Sequence, residues 1–231
     1  MQTVILAGGL GTRLRPITEK IPKCLAPVGD RPFLCYLLEM LRDRGVRDVV
    51  LCTGYLGEQV EDCFGDGRSL GLNIQYSREK ERLLGTGGAL KLAENLLAES
   101  FLVVNGDTYL DIHYKDVYAQ FAARRLPALI AANPVDESER SDLAISSDLT
   151  VLRYDKYARG LGYVNAGVLV LRRDIISAVS SGHPVSLENE VFPELIKRCE
   201  MSAYISSEKF YDIGTFASLK GFETCLQGGA H

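Results

Sequence analysis

The sequence predicts an α/β protein with a mixed, mostly parallel sheet flanked by helices. Short buried strands alternate with helical segments through the first half, which is typical of parallel strands joined by right-handed crossovers. A glycine-rich turn follows the first strand, at the kind of sheet edge where open α/β folds bind ligands. The length of 231 residues is compatible with one domain, so we expect a single Rossmann-like unit over residues 1–231.

The first half of the chain supplies the parallel strands. Its clearest helical pattern begins at Phe33, carries leucines at i, i+4 spacing and ends at Gly45, a typical C-terminal residue of a helix. We predict strands at Thr3–Leu6, Val49–Cys52, Ile74–Tyr76 and Phe101–Val104, and helices at Phe33–Gly45, Leu56–Phe64 and Thr86–Leu97.

The second half is less regular. Ser147-Asp148 has the composition of a hairpin turn between two short apolar runs. We predict strands at Ala128–Ala132, Leu143–Ser146, Val151–Tyr154, Val164–Leu171 and Met201–Ile205, a helix at Leu187–Cys199, and a final helix after the Asp212–Thr215 turn.

Composition argues against two classes of partner. The chain has 26 Lys and Arg against 30 Asp and Glu, a net charge of −4, without the basic excess that nucleic-acid binding needs. No apolar run approaches the ~18 residues of a transmembrane helix, and the start MQTVILAGG lacks a secretory pattern. We therefore expect a cytoplasmic protein with no nucleic-acid or membrane partner. The sequence carries no signal for oligomeric state.

The turn after the first strand carries the strongest chemical signal. Residues 6–16 read LAGGLGTRLRP. Three glycines within four positions let the backbone approach a phosphate and point its N–H groups at it. The pattern is not a P-loop, since no Gly-Lys-Ser/Thr follows, and it is not a dinucleotide fingerprint, since Leu14 stands at the third glycine position.

Positive charge surrounds the same turn. Arg13, Arg15 and Lys23 add two guanidinium groups, which grip phosphate oxygens in pairs, and one movable ammonium. The alternative is a tight strand-to-helix turn with incidental surface bases. The three cations favour the phosphate site.

Asp107 and Asp212 are candidate metal ligands. Mg²⁺ binds through one or two carboxylates plus phosphate oxygens, and these residues follow two different strands that can converge at one sheet edge. Alternatively, Asn105-Gly106-Asp107 is a common turn and Asp212 a helix N-cap.

These motifs resemble those of the sugar-1-phosphate nucleotidyltransferases. The resemblance runs from Gly8 to about Thr215 and includes six motifs in the family's order. Beyond the glycine-rich stretch with Pro22-Lys23, they are Leu84–Ala89, Asn105–Asp107, Gly162–Gly167, Ser186–Glu188 and Phe210–Thr215. Asp155-Lys156 stands where many members have Glu-Lys, and Cys24 where many have Pro.

The resemblance implies an NTP and a sugar 1-phosphate as substrates, Mg²⁺ as cofactor, a nucleotide part at about 1–125 and a sugar-phosphate part at about 126–231. It implies Arg13, Lys23 and Asp107 as catalytic residues and Asp107 with Asp212 as metal ligands. The implied nucleotide contacts are Leu6, Ala7, Gly8, Gly9, Gly11, Thr12, Arg13, Glu81, Gly85, Thr86, Gly87 and Asp107, and the implied sugar-phosphate contacts are Gly106, Lys156, Asn165 and Glu188.

Within the family, the motifs look most like those of heptose 1-phosphate guanylyltransferases, which implies GTP as the nucleotide. Guanine offers N–H donors on N1 and N2, and Glu79 and Glu81, just before the second motif, are candidate acceptors. Mannose-1-phosphate guanylyltransferases and N-acetylmuramate-1-phosphate uridylyltransferases are the nearest alternatives.

Two other classes stay open. A metal-dependent glycosyltransferase would carry Asp-x-Asp at the strand end, whereas Asp107 is followed by Thr108-Tyr109. An inactive nucleotide-sensing module would have lost Arg13, Lys23 or a metal carboxylate. Pyrophosphate release with magnesium distinguishes all three classes.

Overall fold

The central sheet has nine strands in a computed structural model that describes residues 1–136 and 139–228. The strands are β1 (Gln2–Leu6), β2 (Pro27–Val28), β3 (Arg31–Pro32), β4 (Asp48–Thr53), β5 (Asn73–Arg78), β6 (Ser100–Asn105), β7 (Thr108–Leu110), β8 (Ala128–Pro134), β9 (Leu143–Ile145), β10 (Val151–Tyr154), β11 (Tyr163–Arg172), β12 (Met201–Ile205) and β13 (Phe210–Asp212). The helices are α1 (Phe33–Asp43), α2 (Gly57–Phe64), α3 (Gly85–Leu92), α4 (Tyr114–Arg124), α5 (Arg173–Ser177), α6 (Phe192–Lys197) and α7 (Phe216–Gly228), and a π-helix spans Leu187–Val191.

The predicted mixed α/β fold is confirmed. Strand β1 lies between β4 and β6, parallel to both, and β5 extends this half in parallel. Beyond β6, strand β11 runs antiparallel to β6 and β8, and β12 pairs with β8 in parallel. The carboxyl ends of β1, β4 and β6 therefore meet at one edge, where the glycine-rich turn lies.

Apolar side chains fill both faces of this sheet. On one face, α1 buries Leu34, Leu37, Leu38 and Leu41 completely, which is the i, i+4 stripe read from the sequence. On the other face, α3 and α6 cover a second cluster. Each large side chain buried in this way contributes about 1.5–3 kcal/mol, so the sheet is a firm base for the residues at its edge.

The elements differ from the sequence prediction in a few places. Strand β7 and helices α4 and α5 were not predicted, and α3 ends at Leu92, before a 3-10 turn at Glu94–Leu96. The predicted helix at Leu187–Cys199 is divided into the π-helix and α6. Pro193, in the first turn of α6, has no N–H to donate to a preceding carbonyl, so a regular α-helix cannot run through this point.

Candidate functional site

A cavity of about 270 Å³ lies at the carboxyl ends of β1, β4 and β6. Such an edge is where open α/β folds bind their ligands. Its walls come from both halves of the chain. The lining residues are Leu6, Gly8, Gly9, Cys52, Glu79, Leu83, Gly85, Thr86, Ala89, Asn105, Asp107 and Glu188.

The glycine loop, residues 8–13, leaves β1 at the mouth of this cavity. The preceding Ala7 is buried and donates its N–H to the Cys52 carbonyl at 2.8 Å. A Cβ on Gly9 would meet no atom of the described residues within 4 Å, so the backbone here is open to a ligand. Gly11 has a φ of +59° and lies against Thr18 and Lys23, which requires glycine.

The last two residues of the glycine loop lie at the rim. Thr12 and Arg13 belong to a 3-10 turn and are exposed. Neither they nor Gly11 line the cavity itself. The Arg13 Nη2 atom lies 2.6 Å from the position that a Cβ on Gly214 would take, which places the guanidinium beside the turn that follows Asp212.

Asp107 and Asp212 form a carboxylate pair at the same edge. Strand β13 pairs with β7 so that Asp212 lies opposite Thr108, and the Ile213 N–H donates to the Asp107 carbonyl at 2.9 Å. This two-stranded ribbon is what brings residues 105 positions apart together. Asp212 does not cap α7, because the hydroxyl oxygen of Thr215 accepts the Ser218 N–H in that role.

Lys23 lies between the two members of the carboxylate pair. Its ammonium donates to Asp107 Oδ2 and is 3.7 Å from Asp212 Oδ1. The Lys23 side chain is 13% exposed, whereas Asp107 and Asp212 are 32% and 47% exposed. The sequence predicted Lys23 as one of the cations around the phosphate-binding turn; in the structure its ammonium pairs directly with the predicted metal ligands.

The donor set of the carboxylate pair fits Mg²⁺. Two partly exposed carboxylates can bind a hard cation that completes its shell with water and phosphate oxygens. Within the described part of the chain, no group of three or more His, Cys, Asp or Glu side chains is arranged to hold a metal ion alone. A cation here would therefore take the rest of its shell from water and phosphate oxygens.

Glu79 lies inside the cavity, with 9% of its surface exposed. Its Oε1 accepts the Leu84 N–H at 2.5 Å. Its Oε2 lies 2.5 Å and 2.8 Å from the positions that a Cβ on Gly8 or Gly54 would take, so both glycines make room for this carboxylate. Burial raises the pKa of Glu79, and the Leu84 hydrogen bond partly offsets that rise.

Glu81 lies elsewhere. It is exposed and lines a neighbouring cavity with Arg78 and Arg82. The Glu79 N–H still bonds to the Thr53 carbonyl at 2.9 Å, so Glu79 is held beside the sheet whereas Glu81 lies in the bend that follows. Of the two glutamates that the sequence offered, the structure brings Glu79 to the glycine loop.

The second loop, residues 84–88, forms the opposite wall. Gly85 has a φ of +71° and lies against the Val185 carbonyl, where a Cβ would come within 2.7 Å. Gly85 and Thr86 line the cavity, and Gly87 is buried behind them. Cys52 lies on the cavity floor, and burial raises the pKa of its thiol to about 12, so it stays uncharged at neutral pH.

The predicted sugar-phosphate residues divide into two groups. Glu188 lines the cavity, and Gly106 is buried beneath the Leu6 carbonyl, which accepts its N–H at 2.9 Å. Asn165 and Lys156 do not line it. Lys156 is exposed, and the Asn165 side-chain oxygen accepts the Gly167 N–H at 2.9 Å.

Sequence reasoning missed the residues that hold Asn165. Asp142 is 6% exposed and accepts the Asn165 N–H at 2.7 Å. Burial raises the pKa of Asp142, which this hydrogen bond partly offsets. Burial also raises the pKa of Tyr154, whose hydroxyl interacts with Asn165. No local motif marks these residues, since Asp142, Tyr154 and Asn165 come from separate parts of the chain.

Residues 2–226 match the family model described as nucleotidyl transferase. The chain is 36% identical over 214 residues to the D-glycero-alpha-D-manno-heptose 1-phosphate guanylyltransferase of Campylobacter jejuni, covering 93% of this chain and 95% of that protein. It is 33% identical over 216 residues to the protein of the same name from Aneurinibacillus thermoaerophilus, covering 93% of each. The mannose-1-phosphate guanylyltransferase of Mycobacterium tuberculosis is 35% identical over 93% of this chain and 61% of its own length.

Solved structures agree with this grouping. The crystal structure of HddC from Yersinia pseudotuberculosis complexed with GMP-PN superposes with a TM-score of 0.82 at 30% identity, covering 97% of this chain and 99% of that one. Helices long and apolar enough to cross a membrane are absent from the described residues.

Proposed function

The chain belongs to the nucleotidyl transferase family, as the motifs predicted, and we propose that it transfers a guanylyl group from GTP to a sugar 1-phosphate. An oxygen of the sugar phosphate attacks the α-phosphorus of GTP in line. The bond from the α-phosphorus to the oxygen that bridges to the β-phosphate breaks, and pyrophosphate leaves with that electron pair. The products are a GDP-sugar and pyrophosphate.

One observation carries this proposal: the open glycine loop, Lys23 and the carboxylate pair all meet at one cavity edge. A site that joins two polyanions must position them and neutralise their charge. The loop N–H groups and Arg13 would hold the triphosphate and stabilise the leaving pyrophosphate. Lys23 would move from the carboxylate pair toward the α-phosphate as the nucleotide enters.

Asp107 and Asp212 would hold Mg²⁺ at this edge of the cavity. When bound, the cation supplies positive charge to the oxygens around the α-phosphorus. The attacking phosphate is already ionised at neutral pH, so no residue is required as general base. Lys156 would approach the sugar phosphate from its exposed position and orient it.

Glu79 is the residue that best supports guanine as the base. A carboxylate accepts hydrogen bonds on both oxygens, and guanine presents two adjacent donors, N1–H and N2–H₂. Adenine lacks both, so a bound ATP would give the buried carboxylate no donor from the base, and only the Leu84 N–H would remain as its partner. An unpaired buried polar group costs about 1–3 kcal/mol, which corresponds to roughly ten- to hundredfold discrimination.

The sugar is proposed to be D-glycero-α-D-manno-heptose 1-phosphate. The support is the full-length similarity to two proteins of that name, at 33% and 36% identity. Glu188 and Asn165 would accept or donate hydrogen bonds to ring hydroxyls. Mannose 1-phosphate is the second candidate, because a relative of that name is 35% identical. We also propose a cytoplasmic location, with residues 1–125 binding mainly nucleotide and residues 126–231 binding mainly sugar phosphate.

Initial rates of pyrophosphate release test the proposal. GTP, UTP, dTTP and ATP are each combined with heptose, mannose and N-acetylmuramate 1-phosphates in the presence of magnesium. We expect the highest rate with GTP and the heptose, and no release without a sugar phosphate. A preference for UTP with N-acetylmuramate 1-phosphate would overturn the substrate assignment, and release of no pyrophosphate from any pair would overturn the reaction class.

A further inference from the structure

A hydrogen bond crosses the cavity from the second loop to Glu188. The Thr86 hydroxyl donates to Glu188 Oε2 at 2.7 Å. The two residues are 102 positions apart and both line the cavity. This contact joins a loop assigned to the nucleotide with a carboxylate assigned to the sugar.

The Thr86 hydroxyl both donates and accepts a hydrogen bond. It also accepts the Leu187 N–H at 2.8 Å. A hydroxyl has one donor, and here that donor is directed to Glu188. Thr86 therefore cannot donate a hydrogen bond to a nucleotide without releasing Glu188; its hydroxyl can only accept one, through the remaining lone pair.

Backbone contacts hold the same two segments together. The Val185 carbonyl accepts the Gly87 N–H at 2.8 Å, and the Val185 N–H donates to the Leu84 carbonyl at 2.7 Å. These bonds hold the second loop against Val185 whether or not the Thr86 hydroxyl is present, although loss of the hydroxyl removes the acceptor of the Leu187 N–H. Removing that hydroxyl should change the orientation of Glu188 more than the path of either segment.

Both side-chain hydrogen bonds to Glu188 end on the same oxygen. Ser186 Oγ also donates to Oε2, at 2.8 Å. Among the described residues no hydrogen-bond partner occupies Oε1 of Glu188, so that oxygen is free for a substrate hydroxyl. A carboxylate already fixed in one orientation loses less conformational entropy when it binds.

From these contacts we infer that Thr86 is a positioning residue for sugar recognition, which acts by fixing Glu188 from the nucleotide side of the cavity. The inference rests on the proposed function, since it takes Glu188 to bind the sugar. It assigns the hydrogen-bond donor of the Thr86 hydroxyl to Glu188, and through Glu188 to the sugar 1-phosphate, and not to the nucleotide.

Two substitutions at Thr86 separate this role from a structural one. Thr86→Val keeps the shape and removes the hydroxyl, whereas Thr86→Ser keeps the hydroxyl. For Thr86→Val we expect the KM for the sugar 1-phosphate to rise about tenfold, with the KM for GTP changed by less than about twofold, because the lost charge-assisted hydrogen bond orients Glu188, which is assigned to the sugar and not to GTP. Thr86→Ser should restore the wild-type sugar KM.

A double-mutant cycle tests whether Thr86 acts through Glu188. Glu188→Gln alone should raise the sugar KM, and adding Thr86→Val to it should raise the KM by much less than tenfold, since the group that Thr86 positions has already changed. Ser186→Ala, which removes the other donor to Oε2, should raise the same KM in the same direction. It serves as the second variant if Thr86→Val unfolds at assay temperature.

The outcomes separate the inference from the proposed function. If the wild-type chain releases pyrophosphate from GTP and a sugar 1-phosphate, the proposed function stands. An equal rise in both KM values for Thr86→Val, or an unchanged sugar KM in both Thr86→Val and Ser186→Ala, would then overturn the role of Thr86 alone. If the wild-type chain is inactive with every pair, the proposed function itself fails.

Discussion

The two sides of the cavity present different groups to a ligand: the glycine loop presents backbone, and the Glu188 side presents side chains. Gly9 exposes bare backbone, and Gly8 clears space for another residue's carboxylate. Across the cavity, Glu188 accepts hydrogen bonds from the hydroxyl groups of two segments, and outside the cavity lining a buried aspartate accepts the backbone N–H of Asn165. The loop side gains its shape from parallel strand ends, whereas the Glu188 side gains it from side chains that orient one another.

This difference predicts which substitutions each side of the cavity tolerates. A backbone site is insensitive to most side-chain substitutions but fails when a glycine is filled or a charge is lost. A side-chain network can be retuned one hydrogen bond at a time. A backbone site suits the triphosphate, which is the same in every NTP. A side-chain network suits sugars, which differ in the pattern of their hydroxyl groups.

The largest expected effect is a loss of kcat when a member of the carboxylate pair is substituted, because the pair is proposed to serve both substrates. Asp107→Ala should lower kcat by about 10³-fold or more, since it removes a group that stabilises transition-state charge. Steady-state rates in magnesium and in EDTA measure this. Asp111→Ala is the matched control, because Asp111 pairs with Arg44 on the surface at 2.6 Å. Full activity of Asp107→Ala in magnesium, or undiminished turnover in EDTA, contradicts the metal assignment.

Arg13 tests whether the glycine-loop side needs a charged side chain in addition to its backbone N–H groups. Arg13→Ala should lower kcat/KM for GTP about 10²-fold with little change in the thermal midpoint, since the guanidinium is exposed. Arg13→Lys should recover little of the loss, because an ammonium cannot bind two phosphate oxygens at once. The exposed Arg68→Ala is the control for lost positive charge. Equal rates for Arg13→Ala and Arg68→Ala would contradict the phosphate-binding role and mean that the glycine loop is only a structural turn.

Glu79 differs from the rest of the glycine-loop side, because there a buried side chain and not the backbone is proposed to bind the nucleotide. Glu79→Gln replaces one acceptor by a donor, so kcat/KM for GTP should fall roughly ten- to hundredfold. The rate with UTP should rise relative to GTP, because uracil presents one donor beside one acceptor. Glu81→Gln, in the exposed bend, is the matched control. If the two variants change the GTP to UTP ratio equally, Glu79 does not read the base.

The smallest expected effect concerns stability. Burial raises the pKa of Glu79 above its ordinary value of 4.5, so between that value and the raised one the folded chain binds more protons than the unfolded chain. Wild-type stability relative to Glu79→Gln should therefore increase as the pH falls through this window. Thermal midpoints of both proteins from pH 7 to pH 5 measure the difference. A gap that stays constant with pH means that Glu79 is not the group that titrates.

The sequence predicted the loop side in more detail than the Glu188 side for a physical reason. Gly8, Gly11 and Arg13 lie within one short segment, so their types and spacing already describe a phosphate-binding turn. The approach of Asp212 to Asp107 depends on the β7–β13 ribbon, and β7 was not predicted. That pairing came from the family resemblance, not from spacing.

Other differences also have local causes. The α4 stripe of Tyr114, Val117 and Phe121 is present in the sequence but thin, and most other side chains on that helix are polar. Glu79 and Glu81 are alike in type and two positions apart, and the two hydrogen bonds that hold Glu79, from its N–H to the Thr53 carbonyl and from the Leu84 N–H to its side chain, have no local sequence signal. Asp142 could not be found from sequence, because its role depends on the register of β11.

The position of Lys23 between Asp107 and Asp212 affects how the first substrate arrives. Two bare carboxylates at the mouth would repel a triphosphate and slow its encounter, most strongly at low ionic strength. With the ammonium between them, the entrance presents little net negative charge to an incoming nucleotide. If a cation then binds to Asp107 and Asp212, the Lys23 ammonium would be available to contact the phosphates of the nucleotide.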